Sequence, residues 1–297
     1  MTEIMAEVDG RTLKISNLDK VLFPVTGTTK GEVLNYYAQI APVLLPHVED
    51  RAVTRIRWPH GVQGEMFFEK NLPAGAPKWL RRATVPTTGS RSGSEKPGEI
   101  TFPIIDGIAA LTYLVNLASL ELHVHQWTVT KTGKLRKPNR LVIDLDPGEP
   151  AGLMQCCQVA SLVREKLRER KLEAKPVTSG SKGLHLYADL PAKLDSDSTT
   201  ALAKEVAEEL QAEHPQLVTA TMTKAKRSGK VFLDWSQNAG SKTTVSPYSL
   251  RGKEKPWVAT PVTWAEVEEG AEDEFGLGQF RFDEVLQRVE EHGDLFA

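Results

Sequence analysis

The sequence predicts an α/β fold, on three observations. Short apolar runs of strand length alternate with longer stretches whose apolar residues recur at helical spacing, over all 297 residues. They mix irregularly and show no internal repeat, which favours mixed sheets flanked by helices over a regular doubly wound sheet. The composition agrees: 40% hydrophobic and 26% charged residues are ordinary for a globular chain. No apolar stretch approaches the length needed to cross a bilayer. Met1-Thr2-Glu3-Ile4-Met5 lacks the basic-then-apolar pattern of a secretory signal.

Each element has its own signal. The chain opens as a hairpin turning at Asp9-Gly10. Thr29-Lys30-Gly31-Glu32 reads as a capping box, after which Val33, Tyr36, Tyr37, Ile40 and Leu44 recur at helical spacing. A strand is expected near 52–58. Residues 83–103 are rich in Gly, Ser, Thr and Pro and predict a long mobile loop. Asp106 is placed to cap an apolar helix running to about 121, and Leu122 to Val129 alternates as a strand. A strand over 141–146 follows, then a helix over 151–172 and strands near 175–178 and 184–189. A helix over 197–213, a short strand over 230–235 and helices near 263–269 and 282–292 complete the chain. We expect a single 1–297 domain with a seam near 130–140, giving an N-terminal subdomain (1–135) and a catalytic one (136–297). Cys156 and Cys157, the only cysteines, are adjacent and form neither a disulfide framework nor a zinc pattern. They are expected as small apolar helix residues in a reducing cytoplasm.

The most telling run is Leu141-Val142-Ile143-Asp144-Leu145-Asp146-Pro147-Gly148. Side chains alternate along a strand, so Asp144 and Asp146 share one face while Ile143 and Leu145 take the other. Two anions side by side repel, and a divalent cation with oxygen ligands relieves the repulsion. Polymerases use such sites. On this run alone, a strand end with two solvated acids is an equally good reading. A second segment, Thr178-Ser179-Gly180-Ser181-Lys182-Gly183-Leu184-His185-Leu186-Tyr187, holds a turn that can direct N–H groups and Lys182 at phosphate oxygens. His185 faces away from Leu184 and Leu186. A third, Val231-Phe232-Leu233-Asp234-Trp235-Ser236-Gln237-Asn238, ends an apolar run in an acid followed by amide donors. Singly, these are a plain turn, a hydrogen-bonded core histidine and a capping aspartate. Together, three carboxylates at strand ends beside a phosphate-type turn point to two-metal phosphoryl transfer.

The net charge of −2 conceals an asymmetry. Residues 263–297 hold 11 of the acids and 2 of the bases, which leaves the rest of the chain at +7 with an acidic tail. Bases cluster at Lys131, Lys134, Arg136, Lys137 and Arg140, at Lys224, Lys226, Arg227 and Lys230, and at Arg251, Lys253 and Lys255. Such clusters suit a phosphate backbone, although any one of them alone reads better as a solvated loop.

The order Asp-Leu-Asp-Pro, Ser-Gly-Ser-Lys-Gly-Leu-His and Val-Phe-Leu-Asp-Trp-Ser-Gln-Asn resembles the polymerase domain of bacterial ligase D. That family belongs to the archaeo-eukaryotic primase superfamily and works in DNA end joining and gap filling. The resemblance runs from Asn17-Leu18-Asp19-Lys20-Val21-Leu22-Phe23-Pro24 through Ser246-Pro247-Tyr248-Ser249-Leu250-Arg251-Gly252. It implies an archaeo-eukaryotic primase-like fold, with a catalytic RRM-like sheet plus the N-terminal subdomain. It implies that Asp144 and Asp146 bind two metal ions, Mn2+ or Mg2+, with Asp234 completing the shell of the catalytic one. Ser179, Lys182 and His185 would hold the incoming triphosphate. His123, in Leu120-Glu121-Leu122-His123, would lie beside the nucleotide. Arg227, Gln237 and Arg251 would complete the nucleotide and phosphate contacts. His125 is a second candidate for the role of His123, but the Leu-Glu-x-His context favours His123.

By the same resemblance, Asn17, Lys20 and Lys30 look like a pocket for a downstream 5′-phosphate. Phe67 and Phe68 look like a stacking platform for template bases. A core aromatic pair is the competing reading, and one of the two is expected in the core. The implied substrates are gapped or broken DNA and nucleoside triphosphates, with a preference for ribonucleotides and manganese. The implied partners are Ku and a separate ATP-dependent DNA ligase, at the bacterial nucleoid in the cytoplasm, with no membrane. A free-standing relative and an excised domain are both consistent with the chain. The 83–103 loop is longer than the family leads one to expect.

Two other classes compete. One is a non-catalytic DNA-end bridging module acting through Lys20, Lys30 and the basic loops; the carboxylate trio argues against it, because anions weaken DNA binding. The other is a metal-dependent phosphodiesterase, which would shorten DNA rather than extend it.

Overall fold

The computed structural model describes residues 3–87 and 98–297. The N-terminal hairpin pairs Glu3–Val8 with Arg11–Ser16, and Asp9 and Gly10 take φ of 50° and 66°, as a two-residue turn requires. Helix α1 (Lys30–Val48) starts on the capping box of Thr29 and Glu32 and buries Val33, Tyr36, Tyr37, Ile40 and Leu44. The other described helices are α2 (Ile108–Asn116), α3 (Leu153–Glu169), α4 (Ser196–Glu213), α5 (Trp264–Glu272) and α6 (Phe282–His292).

Two sheets organise the fold. The larger has six strands in the order Val218–Thr219, Val231–Asp234, Arg140–Pro147, Leu184–Asp189, Ala174–Thr178 and Thr260–Pro261. Its pairs are antiparallel except the first. The smaller runs Thr244–Val245, Ser119–Val124, Val53–Arg57 and Phe67–Glu69. Alternation assigns the faces of the larger sheet. Leu141, Ile143, Leu145, Leu184, Leu186, Val231 and Leu233 join a core with Cys156, Val159, Val163, Val206 and Leu210 of α3 and α4. Val142 and Tyr187 point the other way, into a second core built on α1, α2 and the smaller sheet. The polar residues of interest occupy the mouth of this second face. Cys156 and Cys157 are buried, unpaired helix residues.

Several expectations are corrected. Residues 82–87 and 98–103 are not loop: Arg82–Thr87 pairs with Gly98–Pro103 in an antiparallel hairpin, with Ala83, Val85 and Phe102 buried. One-sided burial of every second residue outweighs a composition rich in turn formers. The remainder of the expected mobile loop, 88–97, lies outside the described residues. Asp106 does not cap a long helix. α2 begins after Gly107 and ends at Asn116; Ala118 then turns left-handed at φ 60°, and Ser119–Val124 is a strand. Apolar runs this short fit either period, and here sheet pairing decides. The expected strand over Leu122 to Val129 is two strands, broken at His125 and Gln126. The guanidinium of buried Arg51 bonds both carbonyls at the break, at 3.0 and 2.9 Å. The acidic C-terminal region is helical as expected: α5 packs on α3, α6 packs on α1, and Val285 and Phe296 enter the core.

Candidate active site

Asp144 lies at the centre of the larger sheet, where it is the register partner of His185 on one side and of Asp234 on the other. Paired residues share a face, so Asp144, His185 and Asp234 project together, with Asp146 two residues along on the same side. His185 Nε2 stands 3.4 Å from Asp144 Oδ1, and its Nδ1 lies 3.4 Å from the Tyr187 hydroxyl. His185 is therefore both a buried, hydrogen-bonded histidine and a member of the site. Asp146 is more open, and Arg227 lies 3.6 Å away while its guanidinium stacks 3.6 Å above Phe232, the register partner of Asp146. Desolvation and the charge of Asp144 raise the Asp146 pKa, and Arg227 and Lys182 offset part of that.

Asp144, Asp146, Ser179, Lys182, His185 and Arg251 line one cavity of about 230 Å³. Ser179 closes the turn on itself: its Oγ accepts the N–H groups of Ser181 at 3.2 Å and Gly183 at 3.1 Å. Those two amides are thus not aimed outward as the sequence suggested. The cavity is lined instead by the Ser179 hydroxyl, by Lys182 and by Arg251. Lys182 is paired at 3.1 Å with Glu149, but both are well exposed and the pair is weak. Gly183 is required by close approach, since a Cβ there would lie 2.0 Å from Leu145 O on the acid strand.

Asp234 sits on the same face but is otherwise engaged. It accepts Ser236 N at 3.0 Å, Ser236 Oγ at 2.6 Å and Gln237 Nε2 at 2.8 Å, and so caps the 3-10 turn Trp235–Asn238. Among the described residues no three His, Cys, Asp or Glu side chains are gathered as a ready-made metal cluster. The chemistry of the donors nevertheless fits a hard divalent cation: they are all-oxygen carboxylates, and two of them face the cavity side by side.

Glu121 was missed by the sequence reading. It lies two residues before His123 on one strand face and bonds its Nε2 at 2.7 Å. It also accepts Gly252 N at 2.8 Å and sits 3.3 Å from Arg251 Nε. The Nε–H is not aimed at the oxygen, so this last contact is an ion pair without a hydrogen bond. Burial alone would raise the Glu121 pKa, but the bond from His123, the charges of Arg251 and His123 and the Gly252 amide bring it down to about 2. The period-2 spacing of Glu121 and His123 was the available signal. Ser236, which fixes Asp234, was overlooked as well. His125 is packed away, stacked 4.1 Å from the Trp127 ring against Phe102.

The remaining candidates lie apart from the cavity. Asn17 is left-handed at φ 55° and its carbonyl accepts Lys20 N at 3.1 Å, while Lys30 N bonds Lys20 O at 2.7 Å. The three are thereby held together at the start of α1. Lys30 is buried, its ammonium bonded to Ser16 O and to Asn116 Oδ1 at 2.7 Å. Desolvation, then the charge of Lys20, lower its pKa to about 8. Phe67 and Phe68 are both exposed, at 37% and 51%, so neither is in the core. Their strand is a three-residue edge, open on both faces. A larger cavity of about 400 Å³, lined by Trp127, Leu135, Lys137 and Asp195 among others, touches none of the candidate residues.

Acids on adjacent strands of a mixed sheet, beside a Ser-Gly-Ser-Lys-Gly turn, define a protein of the primase-polymerase class. The family model described as LigD, primase-polymerase domain, matches residues 29–296, and the chain belongs to that family. The multifunctional non-homologous end joining protein LigD of Mycolicibacterium smegmatis is 49% identical over 285 residues, 96% of this chain and 36% of that protein. The multifunctional non-homologous end joining DNA repair protein LigD of Mycobacterium tuberculosis is 48% identical over 296 residues, 98% of this chain and 37% of that protein. The chain thus spans little more than a third of the length of these curated relatives. Among solved structures, the polymerase domain from Mycobacterium tuberculosis Ligase D in complex with DNA matches with a TM-score of 0.87 at 49% identity, over 95% of this chain and 96% of that one. No helix among the described residues is long and apolar enough to cross a membrane.

Proposed function

We propose that this chain is a DNA-directed nucleotidyltransferase that extends a primer 3′-OH with nucleoside triphosphates at gaps or double-strand breaks during DNA repair. The observation that carries this reading is the single cavity lined by Asp144, Asp146, Ser179, Lys182, His185 and Arg251. Family membership and the DNA complex of the similar polymerase domain support it.

Asp144 and Asp146, with Asp234 on the neighbouring strand, would hold two divalent ions, manganese or magnesium. Such ions activate the attacking hydroxyl and neutralise charge on the leaving phosphate oxygens. The chain supplies the rest. Lys182 and Arg251 place positive charge where negative charge grows as pyrophosphate departs. The Ser179 hydroxyl donates to the triphosphate, His185 steadies Asp144, and Gln237 and Ser236 steady Asp234. His123 and Arg227 border the nucleotide. Asn17, Lys20 and Lys30 bind the downstream 5′-phosphate, and Phe67 and Phe68 stack on template bases. Ribonucleotide preference and cooperation with Ku and a separate DNA ligase belong to the same reading.

The test is primer extension on gapped, nicked and broken duplexes, with ribo- and deoxynucleotides and with magnesium or manganese. Growth of the primer that stops on Asp144→Ala supports the proposal. Shortening of the DNA would reveal a phosphodiesterase. Binding without incorporation under any metal would reveal a bridging module.

A further inference from the structure

We propose that Glu121 is a positioning residue that locks His123 and Arg251 into one unit, fixing the distance between the group that borders the nucleotide and the group that meets the triphosphate. This rests on the reading of the cavity as a nucleotide site.

Glu121 does not line the cavity; its side chain is 4% exposed. A carboxylate buried this deeply costs stability unless its charge and lone pairs are satisfied. Leu120 and Leu122 on the same strand point the other way, into the apolar core. Glu121 gathers three donors or cations, and two of them come from residues with a site role. An ionised carboxylate only accepts hydrogen bonds, so the 2.7 Å contact places the proton on His123 Nε2. The ring orientation and tautomer of His123 are thereby set. On its other oxygen, Glu121 holds Gly252 N at 2.8 Å and faces Arg251 Nε at 3.3 Å. Arg251 is gripped from the opposite side, where NH1 donates to Ser179 O in the phosphate-type turn. One buried anion therefore ties the strand Ser119–Val124 of the smaller sheet to the turn that follows Ala174–Thr178 in the larger. The backbone leaves no slack, because a Cβ on Gly252 would lie 2.2 Å from the Trp58 ring.

Glu121→Gln keeps the shape and removes the charge. The expected result is a KM for the nucleoside triphosphate raised about 10-fold or more, with a smaller loss in kcat. Affinity for a gapped duplex, read by fluorescence anisotropy, stays within about twofold of wild type, because the polar partners of Glu121 are His123, Gly252 and Arg251 and none is a proposed DNA contact. An unchanged KM in a folded variant overturns the proposal. So does an equal loss of DNA and nucleotide affinity, which would mark a merely structural residue. A second measurement leaves Glu121 in place and covers a variant that fails to fold. His123→Ala, Arg251→Ala and the double variant are compared in nucleotide binding. A double loss smaller than the product of the single losses supports coupling through Glu121; a loss equal to the product overturns it. If the wild-type chain binds no nucleotide, the site reading fails and this proposal with it. If it binds nucleotide and the variants behave independently, only the proposal fails.

Discussion

Asp144 and Asp234 stand directly opposite each other across two antiparallel strands, and Asp144 has His185 as its partner on the far side. Three polar residues from separate stretches of sequence are thus aligned in one row across the sheet. The row follows from register alone. A slip of one residue in either pairing would send one partner into the core occupied by Leu145, Leu184 and Leu233.

The first prediction concerns Asp146. Its pKa is raised, by desolvation and then by Asp144, so its ionised form disfavours the fold at neutral pH. The sign follows from linkage: an acid with a higher pKa in the folded than in the unfolded state loses stability as pH rises through that window. In chelator, Asp146→Asn should melt no lower than wild type. Manganese should raise the wild-type melting temperature and leave the variant unmoved, while primer extension falls by about 100-fold or more. A manganese shift that survives Asp146→Asn would remove this carboxylate from the metal site.

Lys30 gives a pH-dependent prediction. With a folded pKa of about 8, its ammonium begins to discharge just above neutrality. Preference for a 5′-phosphorylated gap should weaken between pH 7 and 9, because only the charged amine attracts the phosphate. Lys20→Ala with Lys30→Ala should abolish the preference and flatten the profile. The same pKa means that folding stability rises with pH from about 8 toward the unfolded lysine value of 10.5. Equal loss on phosphorylated and unphosphorylated gaps would identify both lysines as general backbone contacts.

The parts of this architecture legible in the sequence were those with a short period or a local chemical signature. Asp9-Gly10, the Thr29/Glu32 box and the Asp144/Asp146 strand all declare themselves within a few residues, and each is where it was expected. Long-range partnerships were not legible. Nothing near Glu121 in sequence announces Arg251, and nothing near Ser179 says that its hydroxyl would capture two amides of its own turn. Composition misled at 83–103, where Gly, Ser, Thr and Pro hid the alternation Ala83, Val85. The run through 117–121 fitted helix and strand alike, and only pairing with Val53–Arg57 resolves it.

Phe67 and Phe68 yield a third prediction. Both rings are open to solvent, and Lys70 lies 5.9 Å from the Phe68 centroid, so an aromatic surface and a cation are presented together. Base stacking on such a ring contributes about 1–3 kcal/mol. Phe68→Ala should weaken binding to a template overhang by about 5- to 100-fold, within the range that energy implies. Thermal stability should hardly change, because little apolar area leaves the core. A large fall in melting temperature with unaltered DNA binding would restore the core reading.

The last prediction concerns Gly183, which brings the phosphate-type turn against the acid strand. Its carbonyl accepts Ser179 N at 2.9 Å and Gln279 Nε2 at 3.2 Å, and its amide bonds Ser179 Oγ. A methyl group there would sit 2.0 Å from Leu145 O and 3.1 Å from Pro147 Cδ, and neither neighbour is a flexible side-chain end. Gly183→Ala must therefore push the turn away from Asp144 and Asp146, at a cost of about 1–3 kcal/mol or more. Gly278→Ala is the matched control, since its Cβ would meet nothing within 4 Å, and it should fall within about 0.5 kcal/mol of wild type. Denaturant titration compares the two, and primer extension should be lost in the first and kept in the second. Equal stability of the two variants would mean that the turn and the acid strand are not clamped together, and that the spacing of Lys182 from the carboxylates is set by something other than backbone contact.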